Sequence, residues 1–568
     1  MADNEINIFV QKFKRNPYRV DMLFTFVVRL SVDIFKKRFF RKKKNEIRIP
    51  IFNNNIDYTY TPLDFIDSTV LLNDIIHYHF PHKTDRDRLD DQFVHYTERF
   101  YELPFTNANE ISERICIIKN WIVNNPIGQT VGWHAYAVSE RIVNWCIFLS
   151  RFSNELDTEQ KKLVLRSLYE QGEFLFNNFE YHLGHHNHLI NNSRALLYSC
   201  GIFINESFTL KWRKKAFDVI NKELRYQVLE DGVHAEQSST YHLLLTRTLW
   251  ELRELYAILN EPFEYECMLN KMVIYAKWLI RSDGSVPFTG HITPDWHWKE
   301  LIGLSSLWIK NSSIQPSGYA SIFKPNYCIG NETDESSVKV FSNSGIGIIK
   351  KKGIEIHFSN DPRCEIACHG DQNMLGMDIS WKGTHLIWDA GLDSYNLNQN
   401  RQWFESWTGQ STCVINNIDP LVIGWRRKQL PLAYYKAHAT LVQSDNISLN
   451  GSHTCFNRLP NSAELSRNIS VENNKIIITD SVNSIGNNIY DAIFHFGSNI
   501  LKIEDNEIII SDFKLGNKFS FIFPGNVKVT QMFFPYALAY GEKESGISIK
   551  IAGNVNQEEV FTYKIEKI

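Results

Sequence analysis

The sequence predicts an α+β chain with two large domains, an array of antiparallel helices followed by an antiparallel β-sandwich. At 568 residues, the chain is too long for one ordinary hydrophobic core. Between about residues 108 and 310, apolar residues recur at helical spacing, and after about residue 335 short strand-like runs replace them. We therefore expect a mixed lead-in over 1–105, a helical domain over 106–325 and a β-sandwich over 335–568.

The helical rhythm is clear in six segments, which few alternating β-branched runs interrupt: Ile111–Val123, Ser139–Phe152, Thr158–Phe176, Ala195–Ile204, Thr209–Gln227 and Tyr241–Leu259. Strand-like runs separated by Gly, Asn and Asp turns begin at Lys339–Lys350 and continue to Gly546–Ile551. The segment Asn311–Glu335, rich in Ser, Pro, Gly and Asn, is the predicted boundary. Many short strands without intervening helices are typical of a sandwich.

Composition and charge narrow the possible function classes. The formal net charge is −3, so nothing global indicates a nucleic-acid partner. Nine cysteines without a CxxC pair favour reduced thiols, and the amino terminus does not read as a signal peptide. We therefore expect a cytoplasmic protein, with the periplasm as the alternative. The apolar stretch Met22–Phe35 is too short and too charged to span a bilayer, but the basic residues after it predict peripheral contact with a membrane surface.

Three polar clusters are candidates for chemistry. The first, Gly184–Asn192, packs three His and three Asn into nine residues, which indicates a polar pocket floor or a solvated loop that caps the next helix. The second, Glu230–His242, begins with an Asp-Gly turn and ends in a Tyr-His pair that opens a helix. The third, Cys368–Asn373, precedes a strand pair that ends in Asp389-Ala390-Gly391, which indicates a ligand site or a hydrogen-bonded turn.

Together these clusters resemble the heparinase II/III polysaccharide lyases, over about residues 110 to 500. The ungapped stretch His369–Gly391 looks like the sandwich signature of that family, and Asn187-His188 looks like its Asn/His site. The run from Asp231 to His242 looks like its Tyr motif, and Trp121 to Trp145 looks like its helical-domain signature. The resemblance implies an incomplete (α/α) toroid followed by the β-sandwich, with one cleft shared between them.

The resemblance also implies the site residues. Asn187 would neutralise a substrate carboxylate, Tyr241 would be the acid and in some geometries also the base, and His369 would be the alternative base. The predicted substrate-binding residues are His188, His242, Glu236, Gln237, Trp133, Arg141 and Tyr395.

The chain departs from the family at the metal site. The positions that hold a metal in relatives correspond here to Asp371, Asp389 and Gln410. Zinc prefers nitrogen and sulfur ligands, whereas oxygen ligands suit calcium or magnesium. We therefore expect a divalent cation, with calcium favoured over zinc, or a hydrogen-bonded substitute without metal.

The predicted function is β-elimination on a uronic-acid-containing polysaccharide, linked to bacterial surface polysaccharide metabolism. An acidic polysaccharide or oligosaccharide is the expected partner. Two alternatives stay open at this point. One is a glycoside hydrolase on the same scaffold that uses two carboxylates from Glu230, Asp231, Glu236 and Asp295. The other is a non-catalytic glycan-binding or assembly protein, which the altered metal positions favour.

Overall fold

The computed structural model describes residues 98–181, 186–292, 301–303, 305, 309, 337–361, 369–395, 399–421, 437–444, 447–497, 500–504, 506–539 and 541–568. Most of the lead-in over 1–105, the basic amino-terminal segment and the predicted domain boundary lie outside these residues. Within the described residues, no helix combines the length and apolarity needed to cross a membrane.

The amino-terminal half is helical, as the apolar spacing predicts. Its helices are α1 Ile111–Asn124, α2 Ala135–Phe152, α3 Thr158–Asn177, α4 Asn187–Ile202, α5 Thr209–Gln227, α6 Ser239–Ile258 and α7 Glu266–Leu279, and a short α8, Gln399–Glu405, lies in the second half. Helix α4 packs against α2, α5 and α6, so it occupies the centre of the array. Its inward residues include Leu189, Ile190 and Leu196, all buried.

Local chemistry explains where these helices begin. Asp157 caps α3, because its carboxylate accepts from Gln160 N at 2.8 Å while the Gln160 side chain accepts from Asp157 N at 3.0 Å. Two further helices, α2 and α4, are capped by histidines. His134 Nδ1 accepts from Tyr136 N at the start of α2, and His186 Nδ1 accepts from His188 N at the start of α4. These caps place imidazole rings at two helix amino ends.

The second half consists of antiparallel strands. They are β1 Val338–Phe341, β2 Ile346–Lys351, β3 Ile354–Ser359, β4 Gly376–Trp381, β5 Thr384–Ile387, β6 Cys413–Ile415, β7 Ala439–Ser444, β8 Ser448–His453, β9 Ala463–Glu472, β10 Lys475–Ser484, β11 Asn488–His495, β12 Ile500–Glu504, β13 Glu507–Asp512, β14 Asn517–Ile522, β15 Lys528–Ala539, β16 Glu542–Val555 and β17 Glu558–Lys567. Burial alternates along β9 and β10, as expected for strands with one face against a core.

The strands form three sheets arranged as a sandwich. Their orders are β1-β2-β3-β4-β5, β12-β13-β14-β17-β10-β9-β8-β7 and β15-β16-β11-β6. The smaller sheets both pack on the eight-stranded one. Trp381 of β4 meets Phe519 of β14 at 5.3 Å between ring centroids, and Phe494 of β11 meets Phe521 of β14 at 4.9 Å. The predicted fold class is therefore confirmed.

The segments that flank α6 and α7 attach the helical half to the five-stranded sheet. Asp231 accepts from Ser344 N at 2.7 Å, and Glu355 accepts from Ser282 N at 3.0 Å. Arg281 pairs with Asp378, which also accepts from Phe288 N at 2.9 Å. These polar contacts bring the helical loops over the start of β4, where the third polar cluster lies.

Loss of the buried pair between Arg467 and Asp480 should strongly destabilise the sandwich. Arg467 binds the carboxylate with Nε and Nη2, each at 2.6 Å, and both side chains are almost fully buried. Asp480→Asn leaves the arginine charge without its partner, so we expect the free energy of unfolding to fall by about 3–5 kcal/mol. Denaturant unfolding measures this loss.

The exposed pair between Lys475 and Glu566 lies on the neighbouring strands and supplies a control. Its N–O distance is 2.7 Å, and both side chains are solvent-accessible. Glu566→Gln should therefore cost under about 1 kcal/mol. Equal effects of the two substitutions would show that burial does not govern the Arg467 pair.

Candidate active site

The loop between α5 and α6 is shaped by its Asp-Gly turn. Gly232 has φ +88, and a Cβ there would lie 2.5 Å from the backbone carbon of Lys271, so the position requires glycine. Val228 and His234 then form a short antiparallel bridge. The returning chain carries Glu236 inward, two residues before α6 begins its cap at Ser238. The Asp-Gly turn therefore directs the buried acidic side chain of Glu236 into the protein.

Glu236 is the centre of the site. Its carboxylate accepts from Asn187 N at 2.7 Å and from Asn187 Nδ2 at 2.8 Å. It also contacts His369 Nδ1 at 2.6 Å, across the boundary between the helical half and the sheets. Glu236 has no solvent exposure. One buried carboxylate therefore fixes two of the three predicted catalytic residues.

Electrostatics keeps Glu236 ionised. Burial alone would raise the pKa of this carboxyl, but the imidazoles of His369 and His234 outweigh burial and hold its pKa well below the usual range. An ionised carboxylate can only accept hydrogen bonds, so Nδ1 of His369 carries a hydrogen. In the neutral ring, Nε2 then carries the lone pair. Glu236 therefore sets the tautomer that lets His369 act as a base.

Tyr241, at the start of α6, completes the predicted triplet. Its ring stacks on His369 with centroids 3.5 Å apart and an interplanar angle of 13°. Its hydroxyl lies 2.7 Å from the Tyr395 hydroxyl. The structure thus brings Asn187, Tyr241 and His369 together, and it places Tyr395 beside the tyrosine that is expected to transfer a proton.

His188 lies next to this group on α4. Its Nδ1 is 3.0 Å from Glu180 Oε1, and His134 Nε2 lies 3.6 Å from the same oxygen. Burial opposes ionisation of Glu180, yet the neighbouring imidazoles of His188 and His134 lower its pKa to about 2. The prediction for His188 is compatible with this geometry, since its ring is partly exposed. Gln237, also predicted to bind substrate, lies in the loop beside Gly290 with a positive φ of 58.

Four of the predicted substrate-binding residues are buried and engaged by protein groups. Arg141 has no exposure and donates to Gln171, to Gly132 O and to Glu98 O. Trp133 donates to Asn125 O and packs on Phe174. His242 binds Met272 O at 2.9 Å, and Glu236 acts through its partners. Substrate binding stays a prediction for the following buried residues, which also have structural contacts: Arg141, Trp133, His242 and Glu236.

Sequence reasoning missed His291. Its Nε2 lies 3.1 Å from Asp371 Oδ1, and its backbone N donates to His369 O at 2.7 Å. Gly290 makes this approach possible, since a Cβ there would lie 2.6 Å from His369 O. His291 therefore fixes the backbone of His369, the histidine predicted to be catalytic. Nothing in the local sequence links it to a residue that lies 78 positions further along the chain.

The three predicted metal ligands contact other protein groups. Asp371 pairs with His291, and Asp389 accepts from Ser411 N at 2.6 Å and Asn373 Nδ2 at 3.0 Å. Gln410 donates to Phe404 O at 2.8 Å, while its buried Oε1 has no hydrogen-bond partner among the described residues. Within the described part of the chain, no cluster of three or more His, Cys, Asp or Glu side chains is suited to a metal. This donor set fits the hydrogen-bonded substitute better than a cation.

Acidification should destabilise the protein well above the pH at which carboxylates titrate. Burial lowers the pKa of His186, His242, His453 and His495 to about 3, and that of His357 to about 4. Below about pH 6.5 the unfolded chain therefore binds protons that the folded chain does not, and the free energy of unfolding falls with pH. One such histidine accounts for about 2 kcal/mol between about pH 7 and pH 5. Denaturant unfolding at both pH values measures it, and an unchanged midpoint would contradict the prediction.

A helical array and an antiparallel sandwich, with Asn, Tyr and His side chains brought together at their boundary, define a class of two-domain, toroid-and-sandwich proteins. Comparison with family models identifies the family within this class. Residues 35–290 match the heparinase II/III N-terminus, and residues 333–563 match the heparinase II/III-like C-terminal domain. Because these ranges cover most of its length, the chain belongs to the heparinase II/III family.

Individual relatives agree with this assignment. The heparin-sulfate lyase of Bacteroides thetaiotaomicron is 29% identical over 26% of this chain and 21% of its own length. The heparin-sulfate lyase of Bacteroides stercoris is 24% identical over 41% of this chain and 36% of its own length. The alignments thus span well under half of either relative. The crystal structure of heparinase III is 16% identical, covers 86% of this chain and 79% of its own, and has a TM-score of 0.65, which shows the shared fold.

Proposed function

We propose that this protein is a polysaccharide lyase that cleaves a uronic-acid-containing polysaccharide by β-elimination. One observation carries the proposal: the buried Glu236 carboxylate holds both Asn187 and His369, and Tyr241 stacks on that same histidine. A donor for a carboxylate, a base with a fixed tautomer and a phenol are thereby assembled around one point. Elimination next to a carboxylate needs these three groups.

The reaction follows from these roles. The Asn187 amide donates one N–H to Glu236, and its second N–H binds the uronate carboxylate, which stabilises the enolate that forms. His369 Nε2 removes the proton from C5, and Glu236 stabilises the resulting imidazolium. The C4–O4 bond then breaks, a C4=C5 double bond forms, and Tyr241 protonates the departing oxygen. Atoms and charges balance without any other reactant.

Three of the four carboxylates proposed for a hydrolase serve other purposes, and the fourth, Asp295, lies outside the described residues. Asp231 accepts from Ser344 N and from Val233 N, which stabilises the turn and its contact with the sheets. Glu230 accepts from Asn343 on the exposed side of the same loop. Glu236 has no exposure. These positions give no exposed pair of carboxylates facing one glycosidic bond, so the described residues favour elimination over two-carboxylate hydrolysis.

The substrate class is an acidic polysaccharide, and heparan sulfate is the first polymer to assay, because both curated relatives are heparin-sulfate lyases. A role in bacterial surface polysaccharide metabolism extends the same proposal. Calcium at Asp371, Asp389 and Gln410, a cytoplasmic setting and membrane contact through the basic amino-terminal segment stay predictions. Elemental analysis, cell fractionation and vesicle sedimentation test them in turn.

A screen of uronate-containing polysaccharides tests the proposal. The purified protein is incubated with each polymer, and ultraviolet absorbance of unsaturated uronate is recorded together with new reducing ends. A lyase raises both signals in equal amounts. New reducing ends without absorbance would indicate a hydrolase, whereas tight binding without either signal would indicate the non-catalytic glycan-binding protein.

A further inference from the structure

Three turns lie side by side at one end of the sandwich. They join β2 to β3, β4 to β5 and β13 to β14, and they comprise residues 352–353, 382–383 and 513–516. Lys382 N donates to Gly353 O at 2.7 Å, which links the first two turns. A Cβ on Gly383 would lie 3.3 Å from Leu515 Cδ1, so the third turn packs against the second. We call this surface the basic tip, after its lysines: Lys351, Lys352, Lys382, Lys514 and Lys518.

The third turn presents two apolar side chains to solvent. Phe513 is 77% exposed, and Leu515 is 53% exposed. Asp512 fixes the turn, because its carboxylate accepts from Lys514 N at 2.9 Å and from Leu515 N at 3.1 Å. The two side chains are therefore held outward by an ordered backbone, and covering them with an apolar phase would be favourable.

The other two turns place lysine where the backbone favours another residue. Strand register leaves a two-residue loop in each hairpin, Lys352-Gly353 and Lys382-Gly383. The lysines have φ of 50 and 52, in the left-handed region where Asn, Asp or Gly is preferred. The two-residue loop between β9 and β10 follows that preference with Asn473-Asn474. Lysine in the equivalent position of two adjacent turns indicates that its charge, rather than the turn, determines the residue.

The charge of the basic tip is largely uncompensated. Among the described residues 351–354, 381–384 and 512–518, Asp512 is the only acid, and its carboxylate binds the backbone of its own turn. An acidic polysaccharide would complement the lysines but offers no apolar phase for Phe513 and Leu515. An anionic lipid bilayer offers both, since its headgroups attract lysine and its acyl boundary accepts apolar side chains.

We propose that the basic tip is a membrane-docking surface, which inserts Phe513 and Leu515 into an anionic bilayer while the lysines bind lipid phosphates. It is distinct from the basic amino-terminal segment, which lies outside the described residues. Strand β4 runs from Gly376, close to the third polar cluster, to Trp381 at the tip. At about 3.3 Å per residue, the tip lies about 20 Å from the candidate active site. Docking therefore leaves that site open to a polysaccharide.

Vesicle sedimentation with the purified 568-residue chain tests the proposal. The vesicles contain phosphatidylcholine alone or with about 30% phosphatidylglycerol, in about 0.1 M salt, where charges interact over about 10 Å. We expect wild-type protein to bind the anionic vesicles more tightly than the neutral ones, and added salt to weaken that binding.

Two variants separate the charged and apolar parts of the tip. Lys352→Asn with Lys382→Asn removes two charges and suits the left-handed turns, so the fold should persist. We expect it to lower partitioning onto anionic vesicles about 25-fold, because each lysine near such a surface contributes about fivefold. Phe513→Ser should lower partitioning about tenfold or more, since it removes the larger inserted side chain. Denaturant unfolding verifies the fold of each variant.

Matched controls lie elsewhere on the surface. Phe533 of β15 is 75% exposed, so Phe533→Ser repeats the apolar change away from the three turns. Lys214 and Lys222 are exposed on α5 of the helical half, so Lys214→Gln with Lys222→Gln repeats the loss of charge. Both controls should change partitioning less than about twofold, because they lie beyond the reach of the docked surface.

Four results would overturn the proposal. The first is a wild-type protein that does not bind anionic vesicles. The second is binding that both folded tip variants leave within about twofold of wild type, because the contact then lies elsewhere on the chain. The third is an equal loss in the tip variants and their controls. The fourth is a parallel titration in which the tip variants weaken binding of heparan sulfate but not of vesicles, which would make the tip a polysaccharide-binding surface.

Discussion

Tyr241→Phe should lower kcat by about 100- to 10,000-fold, the range for removal of a group that transfers a proton in the transition state. The substitution removes only the hydroxyl, which lies 2.7 Å from Tyr395, and it keeps the ring that stacks on His369. The fold and the His369 tautomer should therefore persist. Steady-state production of unsaturated uronate measures the loss, and circular dichroism verifies the fold.

Tyr395→Phe is the matched control for this prediction. It makes the same chemical change to the other member of the phenol pair, whose ring lies 6.1 Å from that of His369. Tyr395 orients the Tyr241 hydroxyl but does not protonate the leaving oxygen, so we expect a loss of about tenfold or less, the size of one neutral hydrogen bond. A larger loss for Tyr395→Phe than for Tyr241→Phe would reverse the two roles.

Glu236→Gln should lower kcat by about 1,000- to 10,000-fold, although the side chain is fully buried. The carboxylate only accepts, and it thereby keeps the hydrogen of His369 on Nδ1 at 2.6 Å. A glutamine amide can donate to Nδ1 instead, which moves the hydrogen to Nε2 and removes the lone pair that takes the C5 proton. The effect should appear in kcat more than in KM, because the imidazolium forms only in the transition state.

Glu223→Gln provides the corresponding control. Glu223 is a buried glutamate of α5 that accepts from Gln227 at 3.0 Å. Its neutralisation should change kcat less than twofold. A folded Glu236→Gln variant with kcat within threefold of wild type would show that Glu236 does not set the tautomer of His369.

Periodicity predicted the elements well because each depends on local sequence. The helix predicted over Thr209–Gln227 has those bounds in the structure, and four others differ by at most four residues at an end. The helix predicted to begin at Ala195 begins eight residues earlier, at Asn187, because the first polar cluster forms its opening turns. Helix α7, Glu266–Leu279, was not singled out, although its apolar residues follow helical spacing. Short strands such as β6, Cys413–Ile415, give too few alternations to be seen, and pairing with the distant β11 stabilises them.

The site was predicted less completely, because its geometry depends on contacts between distant parts of the chain. The triplet was found through motif resemblance, and the structure brings it together. The same motifs also contain Arg141 and Trp133, whose polar and aromatic character serves packing around Glu98 and Trp121. A polar residue within a motif reads the same in sequence whether it faces a cleft or a core. Glu236 shows this most clearly, since only its burial in the structure reveals that it positions Asn187 and His369.

The most direct test of the central claim is to degrade the preferred uronate polymer in water labelled with heavy oxygen and to weigh the products. Elimination breaks the C4–O4 bond without water, so we predict unsaturated oligosaccharides that carry no label. Label incorporated once for each bond cleaved, together with saturated products, would contradict a lyase built on Asn187, Tyr241 and His369.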